Sequence, residues 1–96
     1  MTLLLLGAKF PLGKVVATPG ALEALENAQQ SPLEFLQRHA SGDWGELEEA
    51  DQRENEFSLD QYLRLLSAYR TKLDERLWII TEADRSATTL LLPSEY

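Results

Sequence analysis

Residues 64–93 decide the fold, and they read RLLSAYRTKLDERLWIITEADRSATTLLLP. Three short runs within this stretch, at 64–69, 77–81 and 87–93, are rich in aliphatic, aromatic and Thr residues, and charged segments separate them. β-branched and aromatic residues favour strands, and polar segments of a few residues favour the turns between strands. The pattern therefore predicts a three-stranded antiparallel β-meander.

The middle run predicts a strand with two largely apolar faces. Alternate side chains of a strand point to opposite sides of the sheet. One side carries Leu77, Ile79 and Thr81, and the other carries Trp78 and Ile80. Such a strand is either covered on both sides or has one face that awaits a partner.

Two helices are predicted before the meander. Thr18 and Ser31 each stand directly before a proline. A hydroxyl side chain accepts a hydrogen bond from the first turn of a helix, and proline fits the first helical position because it has no N–H. Gly42 ends the second helix, since glycine adopts positive φ without strain. Residues 14–17 are interpreted as a short strand or an extended lead-in.

The segment 46–61 predicts a third helix, which lies on the surface because most of its side chains are polar. Its narrow apolar side contains Leu47, Ala50 and Phe57. Just before this helix, Trp44 is predicted to close the edge of the core from a loop rather than to stack on a ligand.

The whole chain, residues 1–96, is predicted to be a single α+β domain. Two to three N-terminal helices, in an acidic part that covers about 18–61, pack on a β-meander that covers about 64–93. The run of four leucines at 3–6 is too short to span a membrane, and it is interpreted as a buried strand or a packed N-terminal arm.

The charge is unevenly distributed along the chain. Sixteen acidic and nine basic residues give a net charge of −7. Residues 21–60 contain eleven acids and two bases, a net of −9, and the rest of the chain contains five acids and seven bases, a net of +2. Direct binding of nucleic acid requires Lys and Arg to neutralise phosphates, so the acidic part argues against it.

The acidic part has two interpretations. It is either a solvated face that keeps the protein in solution, or a surface that imitates phosphate groups and occupies the nucleic-acid groove of a partner protein. The second interpretation needs acidic side chains on the outside of the third helix. The candidate partner-binding residues are Glu48, Glu49, Asp51, Glu54 and Glu56.

Few residues suggest chemistry. The sequence has no cysteine, no Gly-rich phosphate loop, no paired-histidine motif and no calcium loop, so neither a metal nor a cofactor is predicted. The single histidine lies near the end of a predicted helix, where a capping or packing role is more common than catalysis. If the protein is instead a small ribonuclease, it needs an acid or base and cations for the phosphate. The candidates for that role are His39, Arg76, Arg85, Ser86 and Thr88.

The chain also resembles a family of small bacterial proteins that are labelled uncharacterised or plasmid-related. Five segments carry the resemblance: FPLG at 10–13, VATPGAL at 16–22, SPLEFL at 31–36, SGDWG at 41–45 and WIITEADRS at 78–86. Family members have a Gly-containing turn before the tryptophan strand, where this chain has Lys72-Leu73-Asp74-Glu75. The resemblance implies a cytoplasmic protein of bacterial mobile elements, and it implies no established activity.

Three functions are compatible with the sequence. The favoured one is a non-enzymatic protein-interaction module without a membrane or nucleic-acid contact of its own, in one version an inhibitor of a nucleic-acid-handling defence system. The second is the small ribonuclease or toxin-like enzyme, for which the layout of helices followed by an antiparallel sheet is a fold-level analogy. The third is a structural module that forms a homodimer through the second face of its sheet.

Overall fold

The computed structural model describes residues 7–96. The predicted strand or arm at residues 3–6 therefore lies outside the described residues. The elements follow in chain order: β1 (Lys14–Ala17), α1 (Pro19–Ala28), α2 (Pro32–Ala40), α3 (Glu49–Gln61), β2 (Leu65–Arg70), β3 (Arg76–Thr81), β4 (Ala87–Leu91) and a 3-10 turn (Pro93–Glu95). Three helices combined with a sheet confirm the predicted α+β class.

Within residues 7–96 the sheet has four strands, in the order β1-β4-β3-β2. β2, β3 and β4 are antiparallel neighbours, but β1 lies parallel to β4, with Lys14 opposite Ala87. The prediction of a three-stranded, wholly antiparallel sheet is therefore wrong. The additional strand, β1, is short and pairs with β4, which lies near the other end of the sequence. No local pattern of residues therefore reveals this pairing.

The predicted helix starts are confirmed. The Thr18 hydroxyl accepts a hydrogen bond from the N–H of Ala21 at 3.2 Å, and the Ser31 hydroxyl accepts one from the N–H of Leu33 at 3.1 Å. Thr18 also donates its own N–H to the carbonyl of Leu90 at 3.0 Å. The same residue therefore ends the pairing of β1 with β4 and begins α1.

One face of the sheet packs against α1 and α2 and forms the core. The sheet contributes mainly large aliphatic and aromatic side chains, Leu65, Tyr69, Leu77, Ile79 and Leu90. The helices contribute Ala21, Leu25, Phe35, Leu36 and Ala40. Trp44 is only 3% exposed and joins this core from the loop after α2, as predicted.

The predicted apolar side of α3 is confirmed only in part, because Leu47 packs against the core together with Leu59, whereas polar side chains supply the buried residues of the helix. Phe57 is 56% exposed, while Asn55 and Ser58 are buried. The Asn55 amide donates to the carbonyl of Leu66 at 2.5 Å and accepts from the N–H of the same residue at 3.2 Å. Asn55 therefore docks α3 on the backbone of β2, which a pattern of apolar residues cannot reveal.

The outer edge of β2 is closed by the loop that precedes α3. The Ala68 N–H donates to the carbonyl of Trp44 at 3.2 Å, and the Glu46 N–H donates to the carbonyl of Ala68 at 2.7 Å. Between them, Gly45 has φ +75 and lies so close to Ala68 that a Cβ would clash with the backbone. With Asn55 bound to the next pair of groups, this edge offers few free groups for pairing with another chain.

In the part of the chain that the structure describes, no α-helix covers the second face of the sheet, but the 3-10 turn and Tyr96 lie against β3 there, and Ile80 and Leu91 of this face are buried. We call it the open face. Its residues alternate with those of the core along the strands, and they are Lys14, Val16, Leu66, Ala68, Arg70, Arg76, Trp78, Ile80, Ala87, Thr89 and Leu91. Within residues 7–96, no helix is long and apolar enough to cross a membrane.

Candidate functional site

The five residues proposed for a ribonuclease do not form one site. His39 and Thr88 are fully buried on the helix side of the sheet. Arg76 is exposed and belongs to the open face, so the sheet separates it from His39. Arg85 is buried, and Ser86 is exposed in the turn before β4.

His39 belongs to a buried chain of hydrogen bonds. Its Nδ1 lies 2.6 Å from the hydroxyl of Ser67, and its Nε2 lies 2.9 Å from that of Thr81. The Thr81 hydroxyl lies 2.7 Å from that of Thr88, which donates to the carbonyl of Leu12 at 2.7 Å. The chain thus joins α2, all three antiparallel strands and the N-terminal segment.

The last bond of this chain fixes the direction of all the others. Because Thr88 uses its only proton on the carbonyl, its oxygen must accept from Thr81. Thr81 then has no proton for His39, so Nε2 carries the imidazole proton and Nδ1 accepts from Ser67. Each donor meets one acceptor, and among the described residues no buried side-chain polar atom lacks a partner. The arrangement suits a neutral imidazole.

The surroundings of His39 hold the ring neutral. The rings of Phe10 and Trp44 lie at its edge, with centroids 5.2 and 5.8 Å away. Burial, together with the nearby positive charge of Arg85, lowers the pKa of His39 to about 3. A base with so low a pKa, out of reach of solvent, is suited to packing and not to proton transfer at neutral pH.

Arg85 holds a turn together. Its guanidinium donates to the carbonyls of Leu63 at 2.6 Å and Ser58 at 3.1 Å, and to two carbonyls of its own turn. The same group lies 5.4 Å from the ring centre of Tyr62 and 5.8 Å from that of Phe10. Because both terminal nitrogens donate to backbone carbonyls and the side chain is buried, Arg85 is poorly placed to bind a phosphate.

The acidic residues predicted to bind a partner all lie on or next to α3. Glu49 pairs with Arg53 at 2.9 Å, and Glu56 accepts from the indole of Trp44 at 3.2 Å. No other ion pair on α3 is found among the described residues. Of the five predicted residues, the three that are exposed and make no ion pair within residues 7–96 are Glu48, Asp51 and Glu54.

An exposed aromatic ring lies among these acids. Phe57 is three residues from both Glu54 and Asp60, and side chains at that spacing share one side of a helix. We call the exposed residues Glu48, Asp51, Glu54, Phe57 and Asp60 the acidic surface; because they follow one another at steps of three, they wind around α3, with Glu54 and Asp60 next to Phe57 and with Glu48 and Asp51 toward the N-terminal end. Among residues 7–96, no group of three or more His, Asp or Glu side chains is arranged to hold a metal ion.

The open face contains an apolar groove of about 280 Å³. It is lined by Arg64, Leu65, Leu66, Trp78, Ile80 and Tyr96. Tyr96 is 70% exposed, and it forms one wall because its ring lies edge-on to Trp78 with centroids 5.7 Å apart. Arg64 holds this wall in place by donating to the Tyr96 hydroxyl at 2.9 Å.

A second, polar cavity of about 310 Å³ lies on the other side of Trp78. Arg70 and Arg76 line it together with Glu46 and Glu48. Arg70 is paired with Glu46 at 2.8 Å, whereas Arg76 has no ion pair in the described part of the chain. Trp78 therefore stands between an apolar groove and a site with one uncommitted cation.

The site residues predicted from the sequence include Arg76 of the polar cavity but none of the residues that line the apolar groove. Trp78 and Ile80 are expected on the second face of the middle strand, and the structure confirms that placement. Tyr96 lies outside the three predicted strands, so no periodic pattern marks it. Its role depends on the 3-10 turn that folds it back over β3.

Comparison with known proteins adds no relative. No protein-family model, curated protein or solved structure matches this chain. The resemblance to plasmid-related bacterial proteins therefore stays a prediction, and function has to be argued from the surfaces described above.

Proposed function

We propose that this chain is a non-enzymatic protein-interaction module that binds a basic, nucleic-acid-handling protein through its acidic surface. The observation that supports this proposal is the exposed ring of Phe57 within a group of unpaired carboxylates. A large ring in water is unfavourable by itself, and aromatic residues inside a polar rim are typical of protein interfaces. Exposed carboxylates without the ring would be explained by the need to keep the protein in solution.

The charge of the proposed partner follows from the charge of α3. Four of the five residues of the acidic surface carry a negative charge, and no cation of the described chain pairs with Glu48, Asp51, Glu54 or Asp60. Mutual repulsion among such groups is relieved when a positively charged surface approaches. A protein groove that normally holds phosphates is one such surface. In the cytoplasm of a bacterium, defence proteins that act on nucleic acids have grooves of this kind.

We do not propose ribonuclease activity for this protein. Its proposed base is buried on one side of the sheet, and the cation Arg76 lies on the other. Cleavage of a phosphodiester requires both groups at the same phosphate.

The test compares two variants with the same change in net charge. Asp51→Lys with Glu54→Lys reverses two charges on the acidic surface, and Glu23→Lys with Glu26→Lys reverses two on α1. Each protein is immobilised and exposed to a bacterial cytosol at low salt, with and without added double-stranded DNA. We expect a basic protein to be retained by the wild type and the α1 variant, to be lost from the α3 variant, and to be displaced by DNA.

The salt dependence gives a second readout. Attraction between exposed charges is largely screened at 1 M salt, where the Debye length is about 3 Å. Binding that persists at this concentration, or that survives in the α3 variant, would contradict the proposal. Phe57→Ala separates the contribution of the ring, since it leaves every charge unchanged and is expected to weaken binding at each salt concentration at which the wild type binds.

A further inference from the structure

We propose that the open face of the sheet is a second docking site, which takes a short extended protein segment with a large apolar side chain and a carboxylate. This proposal uses residues of the sheet that are not part of the acidic surface, and the two sites share only Glu48, which also lines the polar cavity. It rests on three properties of the face: its charge, its size and the arrangement of its two cavities.

The charge of the open face is opposite to that of the whole chain. Among the described strands, the outward-facing residues include three cations, Lys14, Arg70 and Arg76, and no acid. The protein as a whole carries −7. Arg70 is neutralised by Glu46 and Asp74, so the uncommitted cation next to Trp78 is Arg76. An occupant that uses this position carries a negative group there.

The size of the face decides between a globular partner and a short segment. Four strands at about 4.8 Å spacing give a width of about 19 Å, and five or six residues give a length of about 18 Å. The projected area is then roughly 350 Å², well below the about 800 Å² that each partner contributes to a standard interface. A homodimer held by this face alone is too small, and a single extended segment matches the available length.

The polar cavity decides between a peptide and a nucleic acid. Trp78 and Tyr96 offer rings on which a base could stack, and this favours single-stranded nucleic acid at first sight. However, Glu46 and Glu48 line the same cavity as Arg76. The two carboxylates balance the charge of the two arginines, so the cavity has no net positive charge for a chain of phosphates, although Arg76 itself makes no ion pair within the described residues. A peptide with a single carboxylate needs only one uncommitted cation.

The spacing of the two cavities specifies the ligand. Ile80 lies in the floor of the apolar groove and Arg76 lines the polar cavity, four residues apart on β3. Four residues of a strand span about 13 Å. In an extended segment, side chains at positions i and i+4 lie on the same side at this distance. We therefore expect an aliphatic or aromatic residue and an Asp or Glu four positions apart.

The experiment is a selection from a random peptide library displayed on phage, with the full chain as bait. The wild type is compared with Arg76→Glu and Trp78→Ala on the open face. Arg53→Glu on α3 serves as a control with the same change of charge. Enriched peptides are synthesised, and their affinities for all four proteins are measured. We expect the apolar-x-x-x-acid pattern, a loss of about tenfold for Arg76→Glu and about thirtyfold for Trp78→Ala, and no loss for the control.

Several results would overturn the proposal. They are the absence of enrichment, enriched peptides without the acidic position, and affinity that is the same for wild type and both open-face variants. Binding of oligo-dT that quenches Trp78 fluorescence would show that the ligand of the open face is single-stranded nucleic acid and not a peptide. Concentration-dependent dimerisation that Arg76→Glu disrupts would show that the open face binds a second copy of this chain and not a peptide. Melting temperatures of the exposed-site variant Arg76→Glu and the control exclude unfolding as a cause.

The outcome is distinguishable from that of the proposed function. Asp51→Lys with Glu54→Lys is expected to abolish binding of the basic protein and to leave peptide affinity unchanged. Arg76→Glu is expected to have the opposite effect. Either docking site can therefore fail in its test while the other is confirmed.

Discussion

The buried position of His39 makes the stability of the protein depend on pH in a predictable direction. In the unfolded chain the imidazole has the ordinary pKa of about 6.5, while in the folded protein burial lowers its pKa to about 3. Between these values the unfolded state binds a proton and the folded state does not. Stability from this group is therefore fully present above pH 6.5 and is lost as the pH falls toward 3.

The size of the effect follows from the two pKa values. For a single group, the free energy of unfolding falls by at most about 1.4 kcal/mol per pH unit within this range. At pH 5, where the unfolded imidazole is almost fully protonated, the loss relative to pH 8 is about 2 kcal/mol. That is a substantial share of the total stability of an average small domain, which is about 5–15 kcal/mol.

The assay is urea denaturation at pH 8, 7, 6 and 5, with His39→Gln as the reference. Glutamine offers both a donor and an acceptor to Ser67 and Thr81, but it does not titrate. The variant is expected to be less stable at pH 8 because the hydrogen bonds fit less well, by about 1–3 kcal/mol. Carboxylates contribute equally to both proteins, so the difference between the two pH profiles isolates the histidine.

Two observations would refute this reasoning. The first is a pair of profiles with the same slope between pH 7 and 5, which would mean that the imidazole does not resist protonation in the folded state. The second is a chemical shift of the His39 ring that titrates near pH 6.5 in the folded protein. A ring that stays neutral at pH 5 agrees with the chain of hydrogen bonds that ends on the carbonyl of Leu12.

Two further predictions concern the closed edge of β2. Gly45→Ala is expected to destabilise the protein by about 3 kcal/mol or more, because it adds a clash with Ala68 to the strain of positive φ, whereas Gly7→Ala meets no neighbour and should cost about 1 kcal/mol. Thermal melting of the two variants tests this, and equal effects would contradict it. Asn55→Ala is expected to cost about 1–3 kcal/mol in urea denaturation because both backbone groups of Leu66 lose their partner, and increased aggregation through the exposed edge should accompany it.

Local signals predict most of the chain well. The starts of α1 and α2 depend on residues within three positions of each other, as at Thr18 and Ala21, so the sequence contains the complete information. The pairing of β2 with β3 and of β3 with β4 likewise joins neighbouring segments. The parallel pairing of Lys14 with Ala87 has no local signal, because its partner is set by the packing of everything between them.

In the candidate sites as well, features set by local sequence are predictable and features set by tertiary packing are not. The acidic surface is a property of one helix, and its charged residues are visible in the sequence. The exposure of Phe57 is not visible in the sequence, because its spacing is that of an apolar side which would be buried. The hydrogen bond between Asn55 and Leu66 shows that α3 turns a different side to the sheet than the sequence predicts. The groove next to Trp78 also depends on Tyr96, which reaches it through tertiary structure alone.

The buried polar residues give a physical reason to expect that the two proposed docking surfaces act independently. The chain from Ser67 through His39 to Thr88 ties α2 to three strands at fixed positions. A register slip by one residue would turn these hydroxyls to the open face and leave the imidazole without partners, at a cost of several unsatisfied hydrogen bonds. The sheet is thus held rigidly between its covered and open faces. A ligand on one face has no alternative arrangement of the core through which to alter the other, so we expect the two binding sites to show no allosteric coupling.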